Sequence, residues 1–574
     1  MKKILYGFLA LAAVLSSCAR LDETPLSAFS EEEAYKSSTL IYVNSVAGIY
    51  KAIGTKLYGS GLASLSTLQE FSSDATFIPG RQGDWVDSGK WQNIFLHNFD
   101  SSVDIYNTVW NNLYNIIGLC NTSIDKLTTL LDVNEDAQTY IYELRALRAI
   151  FYYFLLDAYG EVPVVTSSTV PMSEVAQMHR SEVFDFVFGE LTECLPHLSA
   201  AQSQKTGEYY GRVTQPVAYM ALAKLAMNAP VYKIDNTSDS VYQDFVGDDL
   251  SKEAKATETT GAKVTTRGNG ISLTVDGTSR NAWNTVIYCV EKLEEAGYGL
   301  QGVYADNFSV SNESSIENIF VQPNDESSYR ITIYERLYSV HYAHGSGAGY
   351  FGANGPCATL RQMQALKYGE ADADAERISN NYYTGQDYVE ETGGVVKDAD
   401  ADLSYDPMAV LVDFKDGTPQ VVFRQSGARQ KKYELDKSAA SKFVPNNDIV
   451  IWRYADALLM KAEAQYRLGN KTEALANLNK VRARAKVAEK SAIVLDDINV
   501  ERLCEFSWEG IRRTDQVRLG TFTEPTVDRY NGVYHNASAN DYVVDTKGYT
   551  VVFPIPYDAL SLNPKMKQNP GYAK

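Results

Sequence analysis

The feature that most constrains the fold is the spacing of apolar residues, which recur at three- and four-residue steps over long stretches of the chain. Such spacing places one apolar face along an α-helix. One stretch occupies about 100–131, and the next occupies about 144–158 and is followed by Gly160 and Pro163. Glycine and proline just beyond the last apolar position are typical of a helix end. The two stretches therefore predict two antiparallel helices joined in a hairpin.

Helical spacing of the same kind continues along the chain, at about 181–195, 215–229, 281–296, 451–468, 472–486 and 498–518. Within 457–475, small residues stand where two helices would cross, and Gly469 stands at the turn, which is typical of a tetratricopeptide unit. One such unit cannot bury its own apolar face, so we expect the other helix pairs to stack against it. A generic helical hairpin is the alternative. The predicted fold is mostly α, with a tetratricopeptide-like frame of helical hairpins.

Two long tracts lack this spacing. Residues 233–280 are rich in Ser, Thr, Gly and Asp, and residues 299–447 are rich in Gly, Tyr, Asn and Asp. Loops of that length are usually functional or disordered. The many tyrosines of the second tract argue against disorder, because they supply apolar area to bury. We therefore expect the helical frame to hold long loop-rich insertions that form a binding face.

The N-terminus has the pattern of a secretory signal sequence. Lys2 and Lys3 precede an apolar run over 4–15, which is too short to span a membrane as a helix. The following residues, Leu-Ser-Ser-Cys at 15–18, resemble a bacterial lipobox, in which the cysteine becomes an acylated N-terminus. A plain cleavable signal peptide is the alternative. Residues 1–17 are thus predicted to be a lipoprotein signal peptide, and Cys18 is predicted to carry the lipid anchor.

Charge and cysteine content narrow the function further. The chain has 53 Lys and Arg against 72 Asp and Glu, a net charge of −19, which would repel a phosphate backbone. We therefore do not expect a nucleic-acid partner.

The five cysteines after Cys18 are far apart and show no C-x-x-C spacing, which favours buried free thiols over disulfides or metal ligands.

Four segments behind the lipobox stand in one order. They are ELRALRA at 143–149 leading to YGEVP at 159–163, RYADALLMKAEA at 453–464, the stretch 501–520 from ERLCEF to RLG, and FPIP at 553–556 leading to QNPGY at 568–572. Together they resemble the SusD/RagB family of surface nutrient-binding lipoproteins. Asp22 and Glu23 resemble the acidic signal that sends Bacteroidetes lipoproteins to the cell surface.

This resemblance implies both an organisation and a function. It divides the chain into the signal peptide 1–17, an N-terminal half 18–232 with helical hairpins, and a C-terminal half 233–574 that includes the loop-rich region 299–447. It implies a cell-surface protein of the outer membrane that binds oligosaccharides and delivers them to a TonB-dependent transporter of the SusC type. Within the family the helical frame is shared, and variable loops bind the ligand.

Several charged residues in these segments stand beside apolar positions of the predicted helices. Charges persist there only when they are paired. We therefore predict that they form buried or half-buried ion pairs that fix the helices, and that none is catalytic: Arg145, Arg148, Arg453, Asp456, Glu463, Glu505 and Arg512.

The densest candidate site lies in residues 71–91, where Trp85 and Trp91 alternate with polar side chains on a glycine-containing loop. Sugar recognition needs a flat ring for the C–H face of the sugar and polar groups for its hydroxyls. The family resemblance places a Gly-Asp-Trp loop in the binding region, so Trp85 is predicted to be the platform, while Trp91 fits the core better. The predicted polar contacts are Asp74, Arg81, Asp84 and Asp87.

A second candidate surface lies in 338–357, where glycines at 345–349 would let the backbone approach a ligand closely. Tyr350, Asn354 and Cys357 are predicted to contact the ligand. We expect His341 and His344 of this segment to make surface polar contacts instead of binding a metal, because no third ligand is spaced nearby.

No cofactor is expected. Residues 398–402 begin like a calcium loop, but Leu403 and Ala409 stand where an EF-hand needs glycine and glutamate, so at most a loose, weak Ca²⁺ site is possible. The chain has no H-E-x-x-H or G-x-S-x-G motif, and we expect a binding protein and not an enzyme. The alternatives are a surface glycoside hydrolase that uses two loop carboxylates, and a peptide-binding or protein-scaffold member of the same family.

Overall fold

A computed structural model describes most of the chain. The described residues are 31–58, 61–81, 84–235, 258–325, 331–332, 338–349, 352–390, 392–408, 414–415, 418–419, 424–439, 444–523 and 548–573. The predicted signal peptide 1–17, the lipidation site Cys18, the acidic pair Asp22 and Glu23, and Tyr350 lie outside them.

Helices dominate the described residues, which confirms the predicted fold class. In chain order, α1 to α19 are Glu31–Ala34, Ser38–Ser45, Ala47–Leu57, Leu65–Phe71, Lys90–Phe95, Asp104–Thr128, Ala137–Tyr159, Arg180–Cys194, Gln215–Tyr232, Glu258–Gly270, Ala282–Glu295, Tyr342–Ala348, Leu360–Ala365, Ala375–Asn381, Tyr454–Arg467, Lys471–Arg484, Leu495–Glu505, Arg512–Leu519 and Tyr557–Leu562.

The strands are short and pair in antiparallel ladders of two. The pairs are Thr76–Phe77 with Cys357–Ala358, Ser272–Val275 with Thr278–Asn281, Asn318–Gln322 with Ile449–Arg453, Tyr382–Tyr383 with Arg429–Gln430, Gly385–Gln386 with Ser404–Tyr405, Lys397–Asp398 with Ala401–Asp402, and Phe414–Lys415 with Thr418–Pro419.

The long helices stack in a continuous series. α6 packs on α7, α7 on α8, α8 on α9, α9 on α11, α11 on α15, and α15 on α16. α9 is buried over almost its whole length, as expected of an apolar helix enclosed on several sides. This arrangement is the predicted tetratricopeptide-like frame, and its stack passes from the N-terminal half into the C-terminal half through α9.

The predicted helix ends at Gly160 and Gly469 are confirmed by backbone angles. Gly160 has φ +72° after α7, and Gly469 has φ +86° between α15 and α16. Both values lie in the left-handed region that glycine adopts without steric cost.

Two predicted helices are corrected. The pattern at 451–468 begins with strand residues that end at Arg453, and the helix starts at Tyr454. The pattern at 498–518 contains two helices, α17 and α18, because Trp508 and Gly510 between them have φ +64° and +68°, which an α-helix cannot accommodate. Within 233–280, where we expect a loop, the structure has α10 and the hairpin 272–281.

The predicted ion pairs are present in the frame. Arg512 pairs with Asp74, Asp456 with Lys224 and Arg502, and Glu463 with Arg467 and Arg518. Arg145 and Arg148 share Glu190, and Arg453 contacts Glu317, Glu505 and Glu509. The five cysteines predicted to be buried thiols are buried, and none of them forms a disulfide within the described residues: Cys120, Cys194, Cys289, Cys357 and Cys504.

Candidate ligand-binding surface

Buried hydrogen bonds of Arg81 hold the predicted binding loop in place. Its side chain is fully buried, its Nε donates a hydrogen bond to the Ser426 carbonyl over 2.9 Å, and its Nη1 donates to the carbonyls of Asn354 (3.0 Å) and Gly355. Burial lowers the pKa of the guanidinium. Arg81 therefore joins three distant segments, and its predicted contact with ligand is corrected to a positioning role, because the group is not accessible.

Asp74 and Cys357 are also corrected. Asp74 is fully buried and accepts two hydrogen bonds from Arg512, over 2.6 and 2.8 Å, so it belongs to the frame. Cys357 is fully buried in the ladder that pairs it with Phe77. Neither side chain reaches the surface, so neither can touch a ligand in this conformation.

Trp85 is half-buried and held in place. Its indole Nε1 donates a hydrogen bond of 2.6 Å to the Ala353 carbonyl, and its ring packs edge-on against Tyr338 at 5.3 Å between centroids. A Cβ at Gly355 would come within 3.0 Å of the indole, so the ring rests on this glycine backbone. Trp85 therefore offers part of a fixed ring to solvent, and its N–H is already used.

Trp91 lies in the core, as the simpler interpretation of the sequence expects. It is buried, its ring contacts Trp85 at 6.0 Å, and its Nε1 donates a hydrogen bond of 2.7 Å to Asp87 Oδ2. Asp87 itself is exposed at the edge of the loop.

The structure brings Asp84 together with two residues distant in sequence, Tyr342 and Arg424, and we call these three residues the Asp84 cluster. Arg424 Nε lies 3.5 Å from Asp84 Oδ2, and both side chains are partly exposed. The Arg424 guanidinium lies 5.8 Å from the centre of the Tyr342 ring. Burial, followed by the Asp84 carboxylate, raises the pKa of the Tyr342 hydroxyl. The cluster thus combines a carboxylate, a guanidinium and an exposed ring beside Trp85.

Asn354 is a buried polar group below this surface. Its side chain is fully buried, and neither amide atom makes a hydrogen bond within the part of the chain that the structure describes. An unsatisfied buried amide is costly unless water or a ligand bonds to it. Asn354 also has φ +58°, and Trp85, Asp87 and Ser88 have φ +61°, +38° and +56°. Such conformations are uncommon for residues other than glycine and concentrate at functional sites.

The two histidines are not surface groups, and that prediction is wrong. Both are buried on the segment that begins α12. His344 Nδ1 lies 2.7 Å from Asp387 Oδ2, and its Nε2 lies 3.3 Å from Glu390 Oε2. Burial opposes the charged imidazolium, but these two carboxylates raise the pKa of His344 to about 9. His344 therefore anchors α12, which carries Tyr342.

The acidic runs have structural roles. Asp398 and Asp402 stand on two paired strands joined by a turn in which Ala399 has φ +54°. Asp374 caps α14 and pairs with Arg377. Among the described residues, no group of three or more His, Cys, Asp or Glu side chains is placed to hold a metal ion. In the same residues, no helix combines the length and the apolar character needed to cross a bilayer.

Arg424 is the member of the cluster that the sequence does not reveal. It belongs to no motif, and only the fold brings it to Asp84. Tyr342 is visible in sequence as one of many tyrosines in the loop-rich region, with nothing to distinguish it from the others.

Comparison with known proteins identifies related sequences and folds. A family model described as the SusD family matches residues 411–572, and one described as starch-binding associating with outer membrane matches residues 29–227. A SusD-like protein of Formosa agariphila, P38, is 25% identical over 597 residues, covering 100% of this chain and 99% of the relative.

Two solved structures share the fold. Surface glycan-binding protein A from Bacteroides uniformis superposes with a TM-score of 0.64 at 20% identity, covering 93% of this chain and 99% of that one. Surface glycan-binding protein A from Bacteroides thetaiotaomicron, in complex with laminarihexaose, gives a TM-score of 0.60 at 18% identity, covering 92% and 98%.

Proposed function

This chain belongs to the SusD/RagB family, and on that premise we propose that it is a glycan-binding protein that captures oligosaccharides without cleaving them. A family model described as starch-binding and solved structures named as surface glycan-binding proteins support this proposal. The net charge of −19 favours neutral sugars over anionic polymers.

The observation that carries the proposal is the convergence of the Asp84 cluster beside Trp85. The partly exposed rings of Trp85 and Tyr342 supply apolar area, and Asp84 and Arg424 supply an acceptor and several donors for sugar hydroxyls. Asp87 stands at the edge and the unsatisfied amide of Asn354 lies below. We propose Trp85, Tyr342, Asp84, Arg424 and Asp87 as the direct ligand contacts. The predicted direct contact of Asn354 is corrected, because its side chain is fully buried and a ligand would reach its amide only through a bridging water.

The location and the partner belong to the same proposal. Acylated Cys18 would anchor the protein in the outer membrane at the cell surface, and a TonB-dependent transporter of the SusC type would receive the captured oligosaccharide. Replacing the acylation site, Cys18→Ala, should move the protein from the membrane fraction to the soluble fraction. Retention of the variant in the membrane fraction would contradict the lipid anchor.

Calorimetric titration with laminarihexaose and with malto-oligosaccharides tests the site. Arg424→Ala and Tyr342→Ala should each lower the affinity at least about tenfold, which corresponds to about 1.4 kcal/mol. Tyr388→Ala is the matched control, since Tyr388 is an exposed tyrosine of the same loop-rich region outside the cluster. Unchanged affinity in the two cluster variants would remove the cluster from the site.

The same samples separate binding from hydrolysis. After prolonged incubation with each sugar, the proposal expects no new reducing ends. Their appearance would show turnover and would favour a glycoside hydrolase over a binding protein.

A further inference from the structure

A groove along the outer face of α6 contains none of the proposed glycan contacts. It encloses about 840 Å³, within the range of ligand sites in general. Its floor and one wall come from α6, its second wall from residues 163–175, and its third from residues 558–566.

Hydrogen bonds hold the walls in place. Tyr114 on α6 donates to the Pro163 carbonyl over 2.7 Å, and Tyr152 on α7 donates to the Val165 carbonyl over 2.9 Å. The Asn563 amide donates to the Val175 carbonyl over 3.0 Å and so joins the other two walls. The groove is therefore preformed, which reduces the ordering cost of binding.

Large apolar side chains are exposed along this groove. Leu119, Val170, Met172 and Leu562 are exposed to 38%, 38%, 61% and 74%. Single exposed apolar residues are common on protein surfaces, but several that line one depression mark an interaction site. Aliphatic and thioether side chains favour the side chains of a polypeptide as partners more than the polar faces of a sugar.

A row of amides runs beside these apolar residues. Asn107, Asn111 and Asn115 follow one another at four-residue steps on α6; Asn111 donates to Asn107 over 3.2 Å, and Asn107 donates to Asp558 over 2.7 Å. Within the described residues, the Asn115 side chain makes no hydrogen bond and the Asn111 side chain donates a single one, so both side chains keep donors and acceptors for a ligand.

The spacing of this row fits an extended chain. Four residues of an α-helix rise about 6 Å. Two residues of an extended strand span about 6.6 Å, and alternate residues present their backbone groups on the same edge. Successive amides of the row therefore lie nearly in step with alternate peptide groups of a strand-like segment.

The charged residues of the groove lining restrict the charge of the segment that can bind there. The lining contains no Lys, Arg or His and one carboxylate, Asp558, which stands at the Asn107 end. An acidic segment finds no counter-charge there and would be repelled by Asp558. A segment with an uncharged middle and a basic residue beside Asp558 complements the groove.

We propose that this groove binds an extended polypeptide segment of a partner protein. The segment has aliphatic side chains at alternate positions, bonds its backbone to Asn111 and Asn115, and places a Lys or Arg beside Asp558. This surface is separate from the Asp84 cluster, so the protein can hold a glycan and a protein partner at once.

Gly118 offers a direct way to block the groove. It lies on α6 in the lining, and a Cβ added there meets nothing within 4 Å. Gly118→Arg therefore fills the groove without a clash and replaces a poor helix former with a good one. Gly189→Arg on α8 is the matched control, because Gly189 is also helical, has equally open space, and lies outside the groove.

The test is fluorescence anisotropy with a labelled ten-residue peptide in which leucine and threonine alternate after a terminal lysine. Binding should be saturable below about 1 mM, should persist in Gly189→Arg, and should weaken at least about tenfold in Gly118→Arg and in Asn111→Ala/Asn115→Ala. Replacing the peptide's lysine with glutamate should also weaken binding of the peptide. No saturable binding, equal binding by Gly118→Arg, or displacement of the peptide by laminarihexaose would each overturn the proposal.

Discussion

Charged side chains are closely paired and hydrogen-bonded in the helical frame but only loosely paired in the Asp84 cluster. In the frame, Arg453 is fully buried and bonds to carboxylate oxygens of Glu317, Glu505 and Glu509 over 2.6, 2.6 and 2.8 Å. In the cluster, Asp84 Oδ2 and Arg424 Nε stand 3.5 Å apart; both atoms are buried, and neither makes a hydrogen bond within the described residues. Saturated charges fix the helices, whereas Asp84 and Arg424 are loosely paired and partly exposed, so the other polar atoms of their side chains retain hydrogen-bonding capacity that a ligand can use.

The largest effect on stability should come from removing a buried charged side chain of the frame that is hydrogen-bonded to several partners. Arg453→Met removes the cation shared by three buried carboxylates, which keep Arg484, Arg377 and Lys432 as partners, and should lower the free energy of unfolding by about 3–5 kcal/mol. Urea denaturation measures this loss. Lys486→Met is the control: Lys486 pairs with Glu376 at the surface, its side chain is 75% exposed, and its removal should cost less than about 1 kcal/mol. Similar losses in the two variants would contradict the distinction between buried and exposed pairs.

Glu70 sharpens the comparison because it is a frame carboxylate that forms no ion pair within the part of the chain that the structure describes. Its Oε1 accepts a hydrogen bond from the Gly510 N–H, and burial is the main cause that raises its pKa from 4.5 to about 7. The folded protein thus holds this proton more tightly than the unfolded chain. Its stabilising contribution is full below pH 4.5 and is lost as the pH rises through about 7.

Urea denaturation of Glu70→Gln at pH 5 and pH 8 measures this contribution. The unmodified protein should lose stability across that interval by at most about 1.4 kcal/mol per pH unit from Glu70, and the variant should lack that part of the loss. Identical pH dependence of the two proteins would show that Glu70 does not titrate in this range.

Periodicity alone predicts the helical frame, because the apolar spacing of α6, α7, α15 and α16 is a local property of the sequence. Ion-pair partners are not local. Asp74 and Arg81 have the residue types of a sugar site, but the fold pairs Asp74 with Arg512 and directs Arg81 to the carbonyls of Asn354, Gly355 and Ser426. For the same reason the sequence cannot indicate Arg424, whose role depends on a contact with Asp84 that only the fold creates.

An intermediate effect should follow from removing the unsatisfied amide. Asn354→Gly keeps a residue that tolerates φ +58°, so the free energy of unfolding should change by less than about 1 kcal/mol. If a bound sugar or its water bonds to this amide, the affinity for laminarihexaose should fall about tenfold. Calorimetric titration and urea denaturation of the same sample separate the two effects. A large loss of stability with unchanged affinity would place Asn354 in the frame.

The smallest effect should come from Tyr342→Phe, which keeps the ring and removes the hydroxyl beside Asp84. The affinity should fall only a few-fold, since one neutral hydrogen bond contributes about 1 kcal/mol. Comparison with Tyr342→Ala, titrated with the same sugar, separates the contribution of the ring from that of the hydroxyl. A loss in Tyr342→Phe as large as in Tyr342→Ala would show that the ring contributes little.

The most direct measurement is a crystal structure of the full mature chain with a bound oligosaccharide. The sugar should lie against the exposed part of Trp85 and Tyr342, with hydroxyls in hydrogen-bond distance of Asp84 and Arg424. A sugar bound elsewhere, with the Asp84 cluster facing only solvent, would contradict the proposed site.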